Sequence, residues 1–197
     1  MNDQDKKIAK IKNNCRIGKV IATIMCIICI CGCVLSTIGG IAMYANSEEW
    51  EPKIAQAIEE GKIDTDKVSI GTAKMFHIEG IDPDDWESDV PAIQEALTNR
   101  PYTTIYGGYC FGIAAVIAVC AVLMKLISGT FAIIEKEDNP FTDKVIKRVT
   151  VVMIIVSAFL FFTAGASFGI LGGLVTLVVY SILDYGKTLQ IQSDETL

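Results

Sequence analysis

The chain of 197 residues has one histidine, His77, and no charged side chain at all across three long stretches. A serine or cysteine nucleophile needs a base beside it, and a zinc protease needs a His-Glu-x-x-His helix. Neither pattern occurs, so no catalytic residues, metal ligands or cofactors are expected and the chain reads as a non-enzyme. Basic residues are also scarce, 17 against 23 acidic ones for a net charge of −6, which sets aside direct nucleic-acid binding. The segment 46–104 contains no cysteine and so needs no disulfide. With 51% hydrophobic residues the composition is not that of a disordered or collagen-like chain.

What is present is apolar sequence in blocks. The uncharged stretches are Val20–Ser47, Pro101–Met124 and Val149–Leu183, of 28, 24 and 35 residues. About 20 apolar residues cross the ~30 Å hydrocarbon layer as a helix. The first two blocks each fit one crossing. The third would run roughly 52 Å as one helix, and Ala164-Gly165-Ala166-Ser167-Phe168-Gly169 at its middle can turn the chain, so it is divided into two spans. A single bent helix is the alternative. The fold class expected is all-α: a polytopic membrane protein with a four-helix transmembrane bundle and a small acidic extracytoplasmic cap.

Positive loops stay in the cytoplasm, and four spans with both termini inside satisfy this. Twelve Lys and Arg then lie inside, in the first tail, the middle loop and at Lys187, against five outside; the outer segment carries a net −9. The layout is a basic cytoplasmic tail 1–19, spans at 20–45, 105–127, 147–165 and 168–184, an acidic extracytoplasmic segment 46–104, a cytoplasmic hairpin tip 128–146 and a cytoplasmic tail 185–197. The first apolar block is too long for a cleaved signal core of about 7–15 residues, and is read as a retained span of a cell-membrane protein.

In the outer segment Ser47 is the candidate cap of a helix with Pro52 early in it, Ile54 and Ile58 on one face and Gly61 as its stop. Asp89 is the candidate cap of a second helix near Val90–Thr98, closed by Pro101. Lys67–Gly80 shows no stable period and is left as strand or loop. Trp50 and Trp86 suit the membrane interface. Inside, apolar spacing at Leu126, Ile127, Phe131 and Ile134 carries the second helix beyond the bilayer. Asn139-Pro140 then forces a turn, Thr142 caps the next helix, Asp143 suits its positive end and Phe141 is placed to pack on Ile146.

Cys26, Cys29 and Cys33 share a face of the first span with Cys31 opposite. No histidine or carboxylate in the spans completes a metal site, so they read as small packing residues, with lipidation of Cys15 a lesser alternative. Gly108 and Gly112, and Gly165, Gly169 and Gly173, have the spacing that lets helices approach closely. Packing within the chain is expected from them, with a homodimer face as the alternative. The run Asp82-Pro83-Asp84-Asp85-Trp86-Glu87-Ser88-Asp89 departs from a calcium loop at Trp86 and reads as a solvated acidic face, and His77 as a surface residue. No charged group lies between the span ends, Lys125 and Asp184 standing at the cytoplasmic boundary where they can snorkel to the interface, which argues against a proton-coupled transporter.

The turn Glu137-Asp138-Asn139-Pro140-Phe141-Thr142 and the tail from Asp184 through Gly186, Lys187, Leu189, Gln190, Asp194, Thr196 and Leu197 resemble the domain of unknown function 2975 family of small bacterial four-span membrane proteins. Asn139 stands where that family has glycine, and the connection between the last two spans is shorter here. The resemblance implies no established activity; it implies a regulatory or sensory membrane protein paired with a cytosolic helix-turn-helix regulator. The expected contact residues are Asn139, Pro140, Phe141, Thr142, Leu189, Gln190, Asp194, Thr196 and Leu197, beside the lipid bilayer itself as a partner. The alternative function is a transport or export accessory, or self-protection against a membrane-active cationic peptide, through Asp82, Asp84, Asp85 and Glu87.

Overall fold

The computed structural model describes residues 3–62, 86–137, 139 and 141–195. His77, the stretch Lys67–Gly80, Asp82–Asp85, Pro140, Thr196 and Leu197 lie outside the described residues. Every element among those described is an α-helix: α1 (Asp3–Ala45), α2 (Ser47–Glu59), α3 (Pro91–Asn99), α4 (Pro101–Lys136), α5 (Asp143–Thr163) and α6 (Ala166–Glu195). Four of them, α1, α4, α5 and α6, are long and apolar enough to cross a membrane. Their apolar side chains are largely uncovered by protein, as at Leu35 (70% exposed) and Phe162 (72% exposed). Contiguous exposure of this kind is costly in water and neutral against lipid tails. The chain has the makings of a multi-pass membrane protein.

These helices outrun the uncharged blocks. An α-helix satisfies its own backbone whether the surroundings are lipid or water, so charge marks the edge of a span without ending a helix. Thus α1 continues among the basic residues before Val20, α4 runs on to Lys136, and α6 continues beyond Asp184 to Glu195.

One compact unit comprises residues 1–27 and 121–197. Within it α5 and α6 form an antiparallel pair. Gly165 joins them with φ +106°, a left-handed conformation that favours glycine, so the uncharged block Val149–Leu183 is two helices. Gly169 lies flat against Phe161 and Gly172 against Ser157, whose hydroxyl is 3.4 Å from that of Thr176. Small residues let the two backbones close. In the same unit α1 lies along α4: Gly18 faces the Phe131 ring, the Thr23 and Ser128 hydroxyls are 2.9 Å apart, and the Cys26 thiol donates to the Ala121 carbonyl at 3.5 Å. The Glu135 carboxylate takes Arg16 Nε at 3.1 Å and Lys19 Nζ at 3.3 Å. Cys15 is buried, which leaves its thiol little access for lipidation.

The second unit, residues 28–120, has α1 against α4 through Ser36, which donates to the Cys110 carbonyl at 2.7 Å, and through Gly107, which is covered by the Tyr44 ring. The glycines in tightest contact here are Gly40 and Gly107, with Gly32 facing Ile117 more loosely. Gly108 and Gly112 are exposed, and a Cβ on either would meet nothing within 4 Å, so they do not serve packing among the described residues. The four-residue spacing gave the small-residue face one position, or 100°, out of phase.

The short helices also depart in their caps. Asn46 precedes α2 and makes no side-chain cap; Ser47 is buried inside the first turn, where its hydroxyl accepts from Arg100 Nη1 at 2.8 Å. Asp89 does not cap α3. Val90 holds that position, and Ser88 takes up the local amides instead, its own N–H donating to Gln94 Oε1 and its hydroxyl accepting from Val90. Ile54 is buried, and α2 ends in a Schellman turn: Gly61 at φ +65° donates to Ile58 and Lys62 to Ala57. The N-terminus of α4 receives its acceptor from α2, because Glu51 accepts from the Tyr102 and Thr103 amides at 2.9 and 2.8 Å and from the Thr103 hydroxyl at 2.7 Å.

Thr142 does cap α5, accepting from the Val145 amide at 3.4 Å. The bond is long, so Thr142→Ala is expected to cost about 0.5–1 kcal/mol, read as a small lowering of the melting temperature in detergent. A loss as large as that of a core deletion would show that Thr142 does more than cap.

Candidate functional site

Three of the residues singled out by their sequence motifs, Asn139, Phe141 and Gln190, meet at the α4–α5 turn. Asn139 Oδ1 accepts from the Phe141 amide at 2.9 Å, a side-chain-closed turn that leads the backbone into the Thr142 cap. Its Nδ2 donates to Gln190 Oε1 on α6. Phe141 lays its ring against Gly186, where an added Cβ would come within 2.5 Å of a ring carbon. Asp143 Oδ1 lies 2.5 Å from Lys187 Nζ, and Glu137 Oε1 lies 2.7 Å from Lys144 Nζ across the turn.

These contacts differ in weight. The ion pairs are solvent-exposed, so water and salt screen them and they contribute little. Phe141 removes apolar surface from water by resting on Gly186, an α6 position with no side chain, which makes that contact the fastener of the turn. Gly186, Lys187 and Gln190 are thus α6 residues that hold the turn. Gly186 is visible in the tail pattern, but nothing local in the sequence assigns it to Phe141.

Of the expected contact residues, Asn139, Phe141 and Gln190 come together, and Thr142 is engaged as a helix cap. Leu189 is on the adjoining α6 turn, 47% exposed and uncommitted to the turn. Asp194 lies in the last turn of α6. The arrangement is a polar, hydrogen-bonded platform beside an exposed apolar row that includes Tyr185 and Leu189, spaced i, i+4 on one helix face. Chemically it offers recognition: amide groups, two acids, two bases and apolar surface at fixed spacing.

Metal chemistry finds no set of donors among the described residues, where no group of three or more His, Cys, Asp or Glu side chains sits close enough to share an ion. Cys26, Cys29 and Cys33 are half-buried and Cys31 is exposed. The chain matches no protein-family model, no curated protein and no solved structure.

Proposed function

We propose that this is a non-enzymatic regulatory or sensory protein of the cell membrane, with both termini in the cytoplasm and its four spans packed as a bundle beneath a small acidic extracytoplasmic cap. In this reading its cytoplasmic face, made of the Asn139–Thr142 turn and the Leu189–Leu197 segment, binds a small helix-turn-helix regulator. The observation that carries the proposal is the joining of the two segments: Asn139 with Gln190 and Phe141 with Gly186 make one surface from pieces 51 and 45 residues apart. The sided distribution of charge supports the orientation, since twelve basic residues then face the cytoplasm. The likeness of the same two segments to the domain of unknown function 2975 family supports the partner.

The test is recovery of partner from crosslinked cells. Truncation after Tyr185 removes the Phe141 socket together with the surface, so it is paired with Leu189→Glu, which alters an exposed side chain and leaves Gly186, Lys187 and Gln190 in place. A small DNA-binding protein is expected with the intact chain, with at least a tenfold loss in both variants at equal expression. Undiminished recovery with both would place any partner elsewhere on the protein.

A further inference from the structure

The unit 28–120 contains an open groove of about 730 Å³ between α3 and α4. Its floor and walls are apolar, with Ile93, Leu97 and Ile105 along it and Gly108 and Gly112 at its far end. Its mouth is polar: Arg100, Glu87 and Trp86 stand there, one charge of each sign beside an indole. From Arg100 to Gly112 is twelve residues of α4, or ~18 Å, close to the ~15 Å depth of one hydrocarbon leaflet.

The geometry points to a bound phospholipid, one acyl chain lying along Gly108 and Gly112 and its zwitterionic head at Arg100 and Glu87. Three features select this occupant. The groove grades from charged to apolar along the direction in which α4 enters the membrane, as a lipid does. Arg100 gives Nη1 to Ser47 and keeps further N–H groups, the donors that suit a phosphate, while Glu87 suits the amine. Trp86, 42% exposed, stands at the mouth, where indole rings settle among headgroups. The competing occupant is a second copy of the chain, since Gly-xxx-Gly also joins helices. One wall of the groove is α3, however, and a flexible chain fits beside that wall where a second rigid helix meets it. The inference needs α4 to cross the bilayer and is independent of any cytosolic partner.

The full-length protein in nanodiscs of phosphatidylethanolamine carrying a diazirine in the acyl chain tests this. On illumination the label is expected to concentrate on peptides spanning 86–112. Gly108→Leu with Gly112→Leu fills the groove from positions where a Cβ has free space, and is expected to reduce that label at least fivefold with unchanged helical circular dichroism. Native mass spectrometry of the unmodified protein supplies a reading that needs no variant, with one retained phospholipid per chain expected. Label spread evenly over all four apolar helices, label indifferent to the double substitution, or no retained lipid would each overturn the proposal. So would efficient disulfide-linked dimers of Gly112→Cys, which would give the face to a second copy.

Discussion

Gly169→Ala is expected to lose on the order of 3 kcal/mol of stability, whereas Gly173→Ala, one helical turn further along α6, is expected to be neutral or slightly stabilising. The difference lies in what each new methyl meets. At Gly169 a Cβ would lie 2.7 Å from the Cα of Phe161, and closer still to its Cβ. Those atoms belong to the α5 backbone or are fixed to it, so no side-chain rotation relieves the overlap and the helices must separate. At Gly173 a Cβ meets nothing within 4 Å, and replacing a helical glycine with alanine contributes up to about 1 kcal/mol through backbone entropy. Gly172→Ala should fall between them, because the nearest atom there is the Ser157 hydroxyl oxygen at 2.7 Å, which can turn aside. The order is read from unfolding in a denaturing-detergent titration with helicity as the signal. Equal tolerance at 169 and 173 would mean that α5 and α6 meet in a different register.

That contrast also shows where the sequence stops being informative. The uncharged blocks reveal four apolar helices and an all-helical chain directly, because the cost of charge in hydrocarbon is written residue by residue. The α5–α6 turn is readable too, since Ala164-Gly165-Ala166 places a residue free to adopt positive φ in the middle of a block too long for one crossing. Which glycines make contact is not readable. Gly107 and Gly108 are neighbours with the same composition around them, yet one is sealed by Tyr44 and the other is open; only the position of the partner helix distinguishes them. The helix caps fail for a related reason. Ser47 and Asp89 are residue types that favour the start of a helix, but the Ser47 hydroxyl is drawn to Arg100, 53 positions away, and a Ser88 side chain reaches the amide that would suit Asp89's neighbourhood. At the candidate site, the turn and the end of α6 were each visible as motifs. Their union through Phe141 and Gly186 depended on α5 and α6 being antiparallel and in this register.

Glu51→Ala is expected to cost about 2–3 kcal/mol, far more than its place in a short surface helix suggests. The first turn of α4 has a structural problem that its own sequence does not solve. Arg100 occupies the position where Ser, Thr, Asp or Asn would accept the first free amides, and arginine offers no acceptor. Pro101 removes one of the orphaned N–H groups, which leaves those of Tyr102 and Thr103. Glu51 accepts both, and the hydroxyl of Thr103, a residue with 0% exposure. Its negative charge also sits at the positive end of the helix, worth a further fraction of a kcal/mol. Removing the carboxylate strands two amide donors, at least one of them where water cannot follow, and leaves the Thr103 hydroxyl only its 3.4 Å bond to the Arg100 carbonyl. Glu51→Gln keeps one acceptor oxygen and gives up the charge, so about half the loss is expected; Thr103→Val removes one donor of the three and should cost about 1 kcal/mol. Hydrogen exchange localises the effect: the Tyr102 and Thr103 amides should lose protection in Glu51→Ala while those deep in α4 keep theirs. Glu48→Ala, on the same helix and without a bond to α4, is the control. If it destabilises as much as Glu51→Ala, the loss belongs to the helicity of α2, and α4 is not capped from a distance.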